Sequence, residues 1–222
     1  MIGIFDSGRG GIASLKILRS VLPRVDIAYL ADRKNAPYGT KSKSELIRLV
    51  SEDARRLCEL GAQKILIACC TASTVHCALP KKYKNACIPI ISPAAKAAAE
   101  LTENRKIAVI ATEATVRSNS FAEKIKAQNP EITVFSIPCQ ALVALIERRA
   151  DEAEIYKQIA LICEKIKPLG ADTLLLGCTH FSHVRTEFEE RLKLKTVDSA
   201  AIGAMEIVKI TKSEENGKIL YT

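Results

Sequence analysis

The chain has 222 residues, 48% of them hydrophobic, with 33 basic against 25 acidic side chains and a net charge of +8. An ordinary apolar fraction without biased tracts excludes disordered and fibrous classes; a chain of this length buries roughly 70% of its unfolded surface, in one large domain or two small ones. No apolar run approaches the ~20 residues of a membrane span, and Met1 to Asp6 lacks the features of a signal peptide, so a cytoplasmic protein without membrane contact is expected.

Ile2-Gly3-Ile4-Phe5 reads as a compact strand, followed by the glycine-rich turn Asp6-Ser7-Gly8-Arg9-Gly10-Gly11. Ile12, Leu15, Leu18 and Leu22 recur at the spacing of a helix face, and Pro23 stops that helix. Residues 26–30 form the second strand and residues 35–40 a loop. Ser44 to Leu60 reads as a helix whose wet side carries Glu45, Arg48, Glu52 and Arg55. The buried strand 64–68 runs directly into Cys69-Cys70-Thr71.

The second half repeats this rhythm. Strand 106–110 resembles the first strand, and Thr112 to Thr115 takes the place of the glycine-rich turn. Strand 132–137 precedes Cys139 and a helix to about Arg149; Ile155 to Lys167 is helical; strand 173–177 opens into Cys178-Thr179-His180. Ile2 and Ile107 lie 105 residues apart, and Cys69 and Cys178 lie 109 apart. Two α/β halves therefore each end a buried strand in a cysteine with a threonine close behind. The expected fold is α/β: two pseudo-symmetric domains with mostly parallel sheets and the active site in the cleft between them. The natural boundary is Ile91-Ser92-Pro93, giving an N-terminal domain of residues 1–92 joined by about 201–222, and a second domain of residues 93–200.

The basic residues are scattered among acids, aromatics are 5% and Trp is absent, so no nucleic-acid partner is expected. Eight cysteines in a cytosolic chain should be reduced; Cys58, Cys87 and Cys163 read as apolar filler. Cys69, Cys70, His76 and Cys77 are local, as are Cys178, His180 and His183, but neither group has the paired spacing of a zinc site, so no metal is expected. The glycine-rich turn matches no nucleotide-binding pattern, and Asp6 at its mouth suits a ligand with an amino group better than a phosphate.

A third chemistry uses two thiols as a pair. Two cysteines on opposite sides of a carbon could remove a proton from one face and return one to the other, without a cofactor. Asp6 could orient one thiol and His180 the other. Buried cysteine filler is the competing account.

Ile4-Phe5-Asp6-Ser7-Gly8-x-Gly10-Gly11, Pro37-Tyr38-Gly39-Thr40, Ala68-Cys69-x-Thr71-Ala72-Ser73 and Leu176-Gly177-Cys178-Thr179-His180-Phe181 resemble the successive motifs of bacterial glutamate racemases, in the family's order. Ala111-Thr112-Glu113-Ala114-Thr115, Ser118 and Val143 to Glu147 are similar to further blocks. The resemblance covers nearly the whole chain. It implies two facing α/β domains, a buried glutamate, no cofactor, and supply of D-glutamate for peptidoglycan; a homodimer is left open. Cys69 and Cys178 match the catalytic thiols, Asp6 and His180 the polar residues beside them, and Glu147 an acid supporting the histidine. Ser7, Tyr38, Gly39, Thr71, Thr112, Thr115 and Thr179 match substrate-holding positions. Cys70 stands where the family usually has a substrate-binding Asn, Ser92-Pro93 where many members have Glu-Pro, and a terminal helix has no counterpart after Thr222. These departures leave open a racemase for aspartate or another amino acid, or a weakened paralogue that only binds ligand. In structural terms Tyr38 could be a loop anchor, Ser7, Thr71 and Thr179 helix caps, and Glu147 an exposed acid.

Overall fold

The computed structural model describes residues 1–211 and 217–222. The first half runs β1 (Ile2–Asp6), α1 (Ile12–Val21), β2 (Ile27–Ala31), α2 (Lys43–Glu59), β3 (Lys64–Ile67), α3 (Cys70–Ser73), α4 (Lys81–Lys84) and β4 (Cys87–Pro89). Helix α5 (Ile91–Leu101) then leads to β5 (Lys106–Ala111), α6 (Glu113–Arg117), α7 (Ser120–Gln128) and β6 (Thr133–Pro138). The second half continues with α8 (Gln140–Glu147), α9 (Glu152–Ile166), β7 (Thr173–Gly177), α10 (Arg185–Leu192) and β8 (Lys195–Asp198). Helix α11 (Ser199–Ile210) carries the chain back to the first half, where β9 (Ile219–Tyr221) pairs with β2.

Two sheets result, in the orders β4-β3-β1-β2-β9 and β6-β5-β7-β8, and every strand pair is parallel. Within the first sheet β4-β3-β1-β2 has the same order as β8-β7-β5-β6 in the second, which is the internal repeat expressed as topology. Strands covered on both faces need no polar alternation, and β1 and β7 are buried at every residue. One apolar cluster joins the halves through α5 and α11, with Ile4, Leu66, Ala94 and Ala98 packed alongside Ile107, Leu175 and Ala204. Two further clusters cover the other sheet faces. One holds Cys87 with Cys58 packed against it, and the other holds Cys139 and Cys163, so these four thiols serve as packing.

Local chemistry explains where the elements begin. Ser42 caps α2 by accepting the Glu45 N–H, and Asp151 caps α9 through the Glu154 N–H. The second cap starts α9 three residues before its first apolar position, Ile155, because that first turn is acidic and wet. The segment Ile91-Ser92-Pro93 is the first turn of α5, where proline costs no intrahelical hydrogen bond. Thr112 to Thr115 is likewise a capped helix start: Thr112 accepts the Thr115 N–H at the head of α6. The other helix ends fall within a few residues of the apolar patterns that mark them.

Candidate active site

A cavity of about 320 Å³ opens beyond the carboxyl ends of both sheets. Parallel strands place ligands there, because the loops leaving those ends diverge. From the first half it receives Ser7, Tyr38, Gly39, Cys69 and Thr71; from the second, Thr112, Glu147, Cys178, Thr179 and His180. Of the other expected site residues, Asp6 and Thr115 stand behind this lining and Cys70 is elsewhere. A second hollow of about 520 Å³, with Lys43 and Arg117 on its walls, holds neither Cys69 nor Cys178.

Cys69 leaves β3 and caps α3 with its backbone: its carbonyl accepts the Ser73 N–H. Its sulfur lies 3.3 Å from the Ser7 hydroxyl. Burial, with the charge of Asp6 added, pushes the Cys69 thiol up to about 12 against the pull of the Ser7 hydrogen bond. Asp6 itself is fully buried and does not bond this sulfur. One oxygen accepts the Gly8 N–H at 2.8 Å and the other accepts the Thr179 hydroxyl at 3.0 Å. Asp6 thereby ties the glycine-rich turn to the opposite half and reaches Cys69 only through its field. That close approach fixes a glycine: a Cβ on Gly10 would sit 2.2 Å from the Thr179 hydroxyl oxygen.

Cys178 leaves β7 at the equivalent place. Its sulfur lies 3.6 Å from Nδ1 of His180, whose Nε2 is hydrogen-bonded to the Glu147 carboxylate. Burial opposes charge on the imidazole, but Cys178, Glu147 and Asp6 outweigh it and hold His180 well above the usual histidine range. In return, and against its own partial burial, Glu147 is held below the ordinary glutamate range by His180. The acid therefore belongs to the cavity and is not a solvated helix charge.

The floor is a ring of hydroxyls, with Thr71 at 2.8 Å from Thr112 and 3.1 Å from Thr115, and Thr112 at 2.8 Å from Thr115. Tyr38 anchors its loop as well as lining the cavity. Its hydroxyl lies 2.7 Å from Asp32 and 2.9 Å from Asp53, so it can offer a ligand its ring and backbone. One phenolic proton cannot serve two carboxylates, so the second contact calls for a protonated acid. Burial and the neighbouring Asp32 push Asp53 up to about 7.

One expectation needs correction. Cys70 does not line the cavity; it is 2% exposed in the core that joins the halves, with its sulfur 3.3 Å from the Ser199 hydroxyl. As the first residue of α3 it points into the packing between β3 and α11, one residue past the thiol that faces the cleft. The local Cys/His group is also dispersed: His76 bonds the carbonyls of Lys84 and Cys87, and Cys77 is exposed. Among the described residues no three His, Cys, Asp or Glu side chains gather as metal ligands do.

Sequence reasoning missed Asp32, Asp53 and, on the α8 wall of the cavity, Gln140 and the lining role of Val143 and Ala144 beside the expected Glu147. Gln140, Val143, Ala144 and Glu147 all line it from α8. Their three- and four-residue spacing was a readable signal, since it places all four on one helix face.

Fold and cavity define a two-sheet α/β protein with paired thiols at the carboxyl ends of equivalent strands. Residues 22–207 match the family described as Asp/Glu/hydantoin racemase, and the chain belongs to that family. It is 34% identical over 220 residues to the glutamate racemase of Aquifex aeolicus, covering 98% of this chain and 86% of the relative. With the glutamate racemase of Fusobacterium nucleatum identity is 37% over 233 residues, covering 99% and 87%. Glutamate racemase from Francisella tularensis, solved in complex with D-glutamate, superposes with a TM-score of 0.89 at 29% identity, covering 99% of this chain and 86% of that one. The Escherichia coli glutamate racemase, solved with L-glutamate and an activator, gives a TM-score of 0.74 at 28% identity, covering 96% and 84%.

Proposed function

We infer that this chain is a glutamate racemase, interconverting L- and D-glutamate by proton transfer between the sulfurs of Cys69 and Cys178. The carrying observation is that these thiols, at matching ends of β3 and β7, line one cavity. One sulfur takes the proton from the α-carbon and becomes a thiol, while the other gives its proton to the opposite face and becomes a thiolate. On this reading Cys69 acts on the D-isomer and Cys178 on the L-isomer. The hydroxyls of Ser7, Thr71, Thr112 and Thr179 and the backbone of Tyr38 and Gly39 suit the substrate's carboxylates. His180 and Glu147 position and polarise Cys178, Ser7 does so for Cys69, and Asp6 holds the two sides together.

The proposal carries the expected division into residues 1–92 with 201–222 and residues 93–200, with the substrate between. It also carries a cytoplasmic role in supplying D-glutamate for peptidoglycan. No described helix is long and apolar enough to cross a membrane. The test is incubation with L-glutamate in D2O, followed by chiral analysis and detection of α-deuterium. D-glutamate should accumulate carrying deuterium at the α-carbon. Product without solvent deuterium, or turnover of aspartate or alanine at rates equal to glutamate, would defeat the assignment.

A further inference from the structure

Tyr38, Asp32 and Asp53 are each at most 6% exposed, and the two carboxylates meet on one phenolic oxygen. Asp32 has a further donor, since the Asn35 side-chain amide lies 3.0 Å from each of its oxygens. Asp53 lacks such help among the described residues; the Arg56 guanidinium stands 4.0 Å from its carboxylate, past hydrogen-bond reach. The Tyr38 hydroxyl therefore donates to Asp32 and accepts from a protonated Asp53. The other charges acting on Asp53 are Arg56 and Glu52 of its own helix. The sheet beneath turns Phe5, Ala28 and Leu30 toward α2, α3 carries no charged side chain, and the Lys82 charge of α4 falls on Cys58.

This group of three holds a wall of the cavity. Tyr38 and Gly39 line it, and the Lys41 N–H closes the turn on the Tyr38 carbonyl at 3.1 Å. The turn has no slack against the other half: a Cβ on Gly39 would stand 2.2 Å from the Gln140 side-chain oxygen and 2.9 Å from Cβ of Thr112. We propose that Asp53 is a positioning residue for substrate, its proton holding Tyr38 and Gly39 in the shape that receives glutamate. This rests on the glutamate racemase reading above. Loss of that proton leaves two carboxylate ions on one phenolic hydrogen, so one contact turns repulsive and the anchor slackens. Burial and then Asp32 push the Asp53 carboxyl up to about 7, so the proton leaves across neutral pH. Affinity for glutamate falls with it, while the sulfurs and their neighbours keep their places.

The experiment follows KM and kcat for L-glutamate from pH 6 to 8.5 in the wild type, Asp53→Asn and Asp53→Leu, with melting temperatures to confirm folding. Asparagine keeps a donor toward Tyr38 at every pH, and leucine offers none. Across this range wild-type KM should rise about two- to tenfold more than that of Asp53→Asn, the worth of one hydrogen bond, with parallel kcat profiles. Asp53→Leu should show the raised KM already at pH 6. In ligand-free protein the Lys41 amide should lose hydrogen-exchange protection above pH 7 in the wild type and keep it in Asp53→Asn. A KM rise shared equally by wild type and Asp53→Asn, or a Lys41 amide equally protected in both at pH 8.5, would overturn the proposal. Wild-type protein that does not racemise glutamate would defeat the parent reading, while the exchange comparison would still judge Asp53.

Discussion

The two thiols occupy equivalent backbone positions and have opposite surroundings. Cys69 sits beside the Ser7 hydroxyl, but burial and then the field of Asp6 favour keeping its proton. Cys178 faces an imidazole that its neighbours hold well above the usual histidine range, backed by an acid from α8. Duplicated topology has therefore fixed where the sulfurs stand, and unlike neighbours decide what each is ready to do.

The comparison breaks most directly at the sulfurs. Either Cys69→Ser or Cys178→Ser should lower racemisation by at least about 10²–10⁴-fold, since a serine hydroxyl does not ionise near neutral pH. A substrate with a β-leaving group needs one base to start elimination, so Cys69→Ser should lose elimination from the D-form and Cys178→Ser from the L-form. Equal losses for both enantiomers would show that the two sides are not distinct bases. Glu147→Gln sharpens the contrast: without the carboxylate His180 titrates lower, so the alkaline fall of kcat/KM from L-glutamate should move to lower pH. Its maximum should drop about ten- to a hundredfold, with a smaller loss from D-glutamate.

A third test concerns the anchor beneath the Cys69 side. The folded pKa of Asp53 lies above its unfolded value of about 3.9, so the stability it contributes is full below that value and is lost as pH rises through about 7. The slope should be at most about 1.4 kcal/mol per pH unit, and Asp53→Asn should flatten it in denaturant titrations from pH 4 to 8. The smallest effect is expected at Cys70. Cys70→Asn should bring no gain in kcat/KM and cost about 1–3 kcal/mol of stability, since it buries an amide in the core beside Ser199. Improved turnover would return that position to the cavity.

The sheets, the repeat and the strand-end cysteines were legible because buried parallel strands write themselves as continuous apolar runs such as Ile65-Leu66-Ile67 and Leu174-Leu175-Leu176. The resemblance added most of the cavity residues. What escaped was direction. Nothing local distinguishes Cys69, which faces the cleft, from Cys70, which faces the core, because that choice is made by the first turn of α3. Asp32 and Asp53 escaped because 21 residues separate them and the phenol of Tyr38 unites them only in three dimensions. Gln140 could have been found by carrying the helical period of Val143 and Glu147 back one turn.

The chain passes between its two sheets twice, outward along α5 and back along α11, and those helices pack on one another. A door hung on two pins swings about one line and cannot twist. Opening to admit glutamate should therefore follow a single axis through these helices, so that the sulfurs separate and return along one arc, in register with each other at every closure.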